Sequence, residues 1–262
     1  MNFPVPLVED LILSKDYTHA ECSATWLRKA LLLSPEKIAQ AASLTVGQRE
    51  NSMWAASRKY RFTASNFGQI LGAVSRNRIS PSLKKRLLSC YNLDKVLAIQ
   101  WGVMHEDVAL QQYCQLGAEV KQTGIWLHES GVLAASPDGI VTKSPSCTVH
   151  LMETPPDAKP QLLEIKCPFA SRDETVLKTA TTDKNFFLAS DNGMLCLKKK
   201  HDYWHQIQGQ LHLTGSTCCD LVVWKPHDME IIRISKDNSW TPNIERMINF
   251  YFNTFLPSLI EN

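Results

Sequence analysis

The sequence predicts an α/β chain, in which short apolar runs of strand character alternate with longer stretches of helical spacing. Three observations carry this. Val96 to Gly117 repeats apolar residues at helical intervals. Val120 to Val141 and residues 162–168 are short apolar runs bounded by Gly, Pro and Ser. Asp202 to Leu213 then returns to a helical pattern with polar and aromatic residues interleaved. At 262 residues, 44% hydrophobic and 21% charged, the chain is long enough for one large domain with a small appendage.

Composition narrows the function classes. No stretch approaches the roughly 18 uninterrupted apolar residues of a membrane-spanning helix, so no membrane role is expected. The opening Met-Asn-Phe-Pro-Val-Pro lacks the basic and apolar regions of a secretion signal. The expectation is an intracellular protein, not secreted, and nuclear if its source is eukaryotic. A net charge of +2 argues against coating nucleic acid with the whole surface and leaves room for a local basic groove. The eight cysteines include no C-x-x-C and no Cys/His cluster with ligand spacing, so they read as reduced thiols rather than a zinc site.

In chain order, residues 1–45 read as a helical N-terminal extension. Ala20 to Leu33 is rich in helix formers, and Ser34-Pro35-Glu36 is an N-cap with proline at the first helical position, opening a helix over 36–44. From residue 46 the main domain begins. Trp54 and Arg58 are i,i+4 on one helix, and Thr63 or Ser65 is placed to cap the next, over Asn66 to Gly72. Arg58 and Ser65 are either a phosphate clamp of guanidinium, hydroxyl and helix N–H donors or a solvated basic helix end beside a capping serine. Lys84, Lys85 and Arg86 read as a solvated helix face.

The helix Val96 to Gly117 has a stripe of Val96, Ile99, Val103, Val108, Leu110, Tyr113 and Cys114. Gly102 and Glu106 share a face one turn apart, and a glycine there costs about 1 kcal/mol against alanine, so it is expected to allow close approach of something. Ile125 to Leu127 and Val132 to Ala135 are strands joined by a turn. Ser136-Pro137-Asp138-Gly139 is a punctuated bend leading into Ile140 and Val141. Residues 142–160, rich in Ser, Pro and Thr, are expected to be a mobile loop insertion.

Residues 162–168, Leu-Leu-Glu-Ile-Lys-Cys-Pro, form a strand ended by Pro168. Glu164 and Lys166 share one face while Leu163 and Ile165 point into a core. That pair alone is as well explained by a plain ion pair. Ser171 to Glu174 suggests a helix start, and Asp183 to Lys200 is irregular. Asp220 to Lys225 is a buried strand, Ile231 to Ile234 an edge strand, and Thr241 to Leu259 an amphipathic helix.

Taken together, Arg58-x-x-x-x-Thr63-Ala64-Ser65, Trp101-Gly102-x-x-x-Glu106, Ser136-Pro137-Asp138-Gly139, Leu163-Glu164-Ile165-Lys166-Cys167-Pro168-Phe169 and Tyr203-x-x-Gln206-x-Gln208 resemble, in this order, the PD-(D/E)xK nuclease superfamily. Within it they resemble the YqaJ-like viral recombinase and phage lambda exonuclease family. The resemblance implies a central mixed β-sheet flanked by helices, with a restriction-endonuclease-like core over residues 46–262. It implies catalytic residues Glu106, Asp138, Glu164, Lys166 and Gln206. Asp138, Glu164 and the Ile165 backbone carbonyl would hold Mg²⁺ or Mn²⁺, which suits hard oxygen ligands. Glu106 would support that ion through water or bind a second one, and Gln206 would position metal-bound water or Lys166. Lys166 as a literal base would need a lowered pKa. Arg58 and Ser65 would bind a DNA 5′-phosphate. The expected activity is 5′→3′ exonuclease digestion of duplex DNA ends in recombination or repair. Expected partners are a duplex DNA end, a single-strand annealing or recombinase protein, and copies of itself in a trimeric ring. The alternatives are a structure-selective endonuclease and a nucleic-acid-binding module without turnover.

Overall fold

Strand residues that are apolar on both faces need cover on both sides, and Cys218–Lys225 supplies such a run. In a computed structural model, which describes residues 3–88, 96–152 and 154–260, every residue of this strand is buried. The strands in chain order are β1 (Phe62–Thr63), β2 (Glu119–Lys121), β3 (Trp126–Leu127), β4 (Leu133–Ala135), β5 (Gly139–Lys143), β6 (His150–Met152), β7 (Leu162–Lys166), β8 (Leu188–Asp191), β9 (Met194–Leu197), β10 (Cys218–Lys225) and β11 (Asp228–Ser235). Six form a mixed sheet in the order β2-β5-β7-β10-β11-β6, with β10 near its centre. β7 runs parallel to β10, and β5 runs antiparallel to β7 in the register Gly139↔Leu163.

One face of this sheet carries the larger core. Leu162, Leu221, Val223, Ile232 and Ile234 pack there with Ile207 and Leu211 of the helix Asp202–Thr214 and with Phe67 and Ile70 of the helix Phe67–Ser75. The two helices meet closely at Gly209, where a Cβ would lie 2.4 Å from the Phe67 ring. The opposite face packs Leu163, Ile165, Val222 and Trp224 against Ala109 and Tyr113 of the helix Leu97–Gln115. The expected division of β7 therefore holds, with Leu163 and Ile165 on one side and Glu164 on the other.

The stripe assigned to Leu97–Gln115 does not. Val96, Val103 and Val108 are exposed, with Met104 at 70%. The packed side is Trp101, His105 and Ala109, joined by Leu110 and Tyr113 of the expected stripe. His105 stacks on Trp224 at 5.0 Å, and Gln112 accepts from the Trp224 indole at 2.8 Å. Aromatic and polar residues form the buried face here, so counting aliphatic residues picks the wrong side. No heavy atom lies within 4 Å of a Cβ built on Gly102, so no close approach explains that glycine.

Four further expectations are corrected. The stretch 142–160 contains β6, which pairs in parallel with β11 in the register Ile232↔His150 and covers it. β11 is therefore not an edge strand. His150 joins Glu230 at 2.9 Å, and the Thr154 hydroxyl donates to the Arg233 carbonyl at 3.0 Å. The flanking Pro and Ser hide a three-residue strand that its partner stabilises. The stretch 183–200 is a hairpin of β8 and β9, closed by Asn192 and Gly193, both at positive φ, a turn that this dipeptide favours. Neither Thr63 nor Ser65 caps the helix Phe67–Ser75. The turn Ala64–Asn66 intervenes, and Thr63 accepts from the Asn66 amide at 2.9 Å. The C-terminal helix Pro242–Phe250 widens into a π-turn over Tyr251–Phe255. Pro257 follows and has no N–H to return to Asn253.

The early residues join the same core. Val8, Tyr17, Leu27 and Leu31 lie in the larger cluster, and the buried Arg61 donates to the Pro6, Ser57 and Gly131 carbonyls. Ser34 caps Pro35–Leu44 as expected, accepting from the Lys37 N–H. Every cysteine among the described residues is a free thiol, and no described helix is long and apolar enough to cross a membrane.

Candidate active site

Pairing between β5 and β7 places the end of the Ser136-Pro137-Asp138-Gly139 bend against Glu164 and Ile165. The Asp138 N–H donates to the Leu163 carbonyl at 3.1 Å, and Asp138 Oδ2 accepts the Ile165 N–H at 2.7 Å. In an antiparallel pair, a residue's N–H and C=O face the same neighbour. The Ile165 carbonyl therefore faces the Asp138 side too, just past the point where β5 begins.

Glu164 is 2% exposed and well supplied with donors. Its Oε1 receives Gln206 Nε2 at 2.5 Å and the Lys166 ammonium, and its Oε2 receives Gln210 Nε2 at 2.7 Å. Gln206 and Gln210 are i,i+4 on the helix Asp202–Thr214, so they reach the same carboxylate from successive turns. Tyr203, one turn earlier, sets its ring 4.7 Å from Lys166 Nζ. Gln208 faces elsewhere, donating to the Ser235 carbonyl and accepting the Asp237 N–H.

The charges of the cluster are unbalanced. Burial pushes the Asp138 carboxyl well above the usual aspartate range, and the charges of Glu164 and Glu106 push it further. Glu106, half-buried on Leu97–Gln115, is raised by burial and by Glu164, with Arg49 and Lys166 acting against the shift. Burial alone would lower the Lys166 ammonium, but Glu164, Tyr203 and Asp138 outweigh it and hold it above the ordinary lysine value. This direction is opposite to the lowered pKa that a literal base would need. Among the described residues, no three Asp, Glu, His or Cys side chains are grouped so that they could hold a metal ion. Asp138 feels the charge of Glu164 and is hydrogen-bonded by the Ile165 N–H.

The bend that carries Asp138 is gripped from the segment before β1. Gln48, in the left-handed region at φ 42°, donates through Nε2 to the Pro137 carbonyl at 2.8 Å and to the Thr123 carbonyl at 3.2 Å. The Trp54 indole donates to the Ser136 hydroxyl at 2.9 Å, and the Arg58 guanidinium lies 4.1 Å over the Trp54 ring. Burial, then the like charge of Arg49, lowers the Arg58 guanidinium to about 10. Ser65 stands exposed on the turn Ala64–Asn66, and its hydroxyl meets that of Thr63 at 3.2 Å. Arg58 is thus tied to the Asp138 bend through Trp54, whereas the partner of Ser65 is its own neighbour.

A family model described as the YqaJ-like viral recombinase domain matches residues 53–217. The chain belongs to this family. An alkaline nuclease from Orgyia pseudotsugata multicapsid polyhedrosis virus is 24% identical to the YqaJ-like chain over 232 residues, covering 80% of it and 50% of the viral protein. The chain thus spans about half the length of that relative. An alkaline exonuclease structure from Laribacter hongkongensis superposes with a TM-score of 0.53 at 24% identity, covering 79% of this chain and 93% of that one. A SOX–DNA complex superposes with a TM-score of 0.52 at 11% identity, covering 93% and 78%. The YqaJ-like domain shares the fold of that exonuclease, a mixed sheet flanked by helices, with Asp138 in the bend just before β5 and Glu164 on the neighbouring β7.

Two residues near this site, Gln210 and Arg49, lie outside the sequence reading of it. Gln210 has a visible signal, the i,i+4 spacing from Gln206 on a helix that buries both. Gln48 opens the lead-in Gln48…Trp54…Arg58 of the sequence, but its grip on the bend arises only in the tertiary fold.

Proposed function

We propose that the chain is a divalent-metal-dependent deoxyribonuclease that digests duplex DNA from its ends in the 5′→3′ direction. The observation that carries this is the pair of carboxylates, Asp138 in the bend before β5 and Glu164 on the adjacent β7, beside Lys166 paired with Glu164. The oxygen donor set of Asp138, Glu164 and the Ile165 carbonyl fits Mg²⁺ or Mn²⁺. The raised Asp138 and Glu106 carboxyls mark an excess of negative charge that a divalent cation would offset. When bound, the ion supplies Lewis-acid stabilisation of phosphoryl oxygens and an acidified water.

The chain's own residues do the rest. The Ile165 N–H holds Asp138 in place, and Gln206 with Gln210 fixes both oxygens of Glu164. Lys166, as a cation, orients the attacking water and offsets charge on the phosphoryl oxygens. Glu106 adds negative charge from outside this donor set. Arg58, stacked on Trp54, binds the terminal 5′-phosphate as a bidentate donor, and the exposed Ser65 hydroxyl serves as a separate donor to it. DNA is the substrate in this reading, which the similar SOX–DNA complex supports.

The test incubates the purified chain with linear 5′-phosphorylated duplex DNA and with covalently closed circles, with Mg²⁺, with Mn²⁺ and with chelator. Digestion of the linear form alone, dependent on metal and lost in Asp138→Ala, supports the proposal. Cutting of closed circles replaces it with an endonuclease. Binding of DNA without any cutting replaces it with a binding module.

A further inference from the structure

A cavity of about 350 Å³ lies between the helix Phe67–Ser75 and the helix Pro81–Leu87, outside the catalytic cluster. Its lining includes Gln69, Gly72, Arg76, Ser80 and Arg86, and no carboxylate. Arg76 and Arg86 are exposed, and among the described residues neither takes part in an ion pair. The Arg76 guanidinium lies over Gly72, with Nη1 3.4 Å and Nη2 3.7 Å from where a Cβ would stand, so the bare backbone beneath it keeps the cavity open. From Phe67 to Leu88 the sequence holds Arg76, Arg78, Lys84, Lys85 and Arg86 and no acidic residue.

The cavity shares a wall with the catalytic helix. Gln69 Nε2 donates to Asp202 Oδ2 at 3.4 Å, and Gly68 packs so tightly on Asp202 that a Cβ would sit 2.2 Å from its Oδ1. Asp202 opens the helix Asp202–Thr214, whose next residue, Tyr203, faces Lys166. Gly68 and Gln69 of the cavity lining thus adjoin the end of the helix that carries Tyr203 toward Lys166.

We infer that the cavity between these two helices is a second phosphate site, which grips the sugar-phosphate backbone of the nucleic acid held at the catalytic centre. Two guanidiniums present paired donors to one phosphodiester oxygen pair each. Ser80 and Gln69 add neutral polar groups, and the volume is of the size that admits a nucleotide unit. Among the described residues no carboxylate lines the cavity, the adjoining Asp202 being engaged by Gln69, which favours an anion, and the shared wall with the catalytic helix favours one belonging to the substrate strand. The inference rests on the nuclease reading for the identity of that strand.

The experiment titrates the full chain and an Arg76→Ala/Arg86→Ala double variant with fluorescent 5′-phosphorylated duplex DNA in chelator, across a salt series. Each phosphate contact contributes about 0.9 to the slope of log affinity against log salt. Loss of two contacts is expected to shallow the slope by about 1.8 and to weaken binding about tenfold or more at low salt. Both substitutions are at exposed positions, so an unchanged melting temperature verifies the fold. An unchanged slope and affinity overturn the inference. So does the finding that inorganic phosphate alone binds at this cavity while the DNA slope stays the same, which marks a free-anion site. Failure of the nuclease reading appears separately, as a parent chain that binds DNA with metal present and does not cut it. If the double variant then still shallows the slope, the phosphate site stands without the nuclease.

Discussion

The backbone N–H of Ile165 donates to the side chain of Asp138 at 2.7 Å, so the strand that presents Glu164 also fixes the neighbouring carboxylate. Asparagine preserves an oxygen for this bond and removes the charge. Asp138→Asn should therefore lose cleavage yet melt at a higher temperature than the parent without metal, because burial and two nearby carboxylates oppose its ionisation. Thermal melts with chelator and with excess Mg²⁺ test it. In metal the parent should gain more than the variant, and equal gains would remove Asp138 from the metal site.

The same shifts set a pH dependence. A carboxyl whose folded pKa lies above its unfolded value contributes stability at low pH, which is lost as pH rises through the folded pKa. Asp138 and Glu106 both have that sign, so they should cost the metal-free protein stability on rising from acid toward neutral pH. Protons compete with metal over the same window, so apparent Mg²⁺ affinity should rise with pH and level off once both groups are ionised. Metal titrations of cleavage rate at several pH values would show this. An affinity independent of pH would contradict it.

Gln210 contributes by positioning Glu164. Gln210→Ala leaves the buried Oε2 without that donor, at a cost of about 1–3 kcal/mol in stability. The rate at saturating DNA should fall about 10–100-fold, the usual penalty for losing a group that orients a metal ligand. The metal concentration for half-maximal rate should rise, and Gln210→Glu should not rescue it, because a further carboxylate repels Glu164.

Trp54 links Arg58 to the Asp138 bend. Trp54→Phe keeps a ring under Arg58 and removes the donor to Ser136, a change of about 0.5–1.5 kcal/mol. Trp54→Ala removes both. Preference for 5′-phosphorylated over 5′-hydroxyl ends should survive the first and drop in the second. Rates on the two DNA ends measured side by side decide whether the stack on Arg58 supports phosphate binding.

Asp220 offers a contrast without chemistry. Its carboxylate is fully buried, accepts the Tyr113 hydroxyl at 2.8 Å, and takes two hydrogen bonds from Arg233 at 2.8 and 2.9 Å. Asp220→Ala strands a largely buried guanidinium and should cost about 3–5 kcal/mol. Denaturant unfolding should register this, while the ratio of rates on phosphorylated and hydroxyl ends stays that of the parent.

By itself, the sequence determined the elements whose signal is local. Period-two alternation at Leu162–Lys166 separates Glu164 and Lys166 from Leu163 and Ile165, and that division depends only on strand geometry. Ser34 before Pro35 marks a helix start in the same local way. The order of Asp138, Glu164, Lys166 and Gln206 was legible through the resemblance to the PD-(D/E)xK nucleases, since local periodicity fixes only the Glu164–Lys166 spacing. Tertiary structure alone decided what depends on residues distant in the chain. The face that Leu97–Gln115 buries is set by Trp224 and the sheet beneath it. The short strand His150–Met152 exists through its pairing with β11. The charge state of Lys166 follows from burial beside Glu164, Tyr203 and Asp138, and no spacing in the sequence encodes that balance. Gln48 and Trp54 hold the Asp138 bend across more than eighty residues of chain, a contact that only the assembled fold creates.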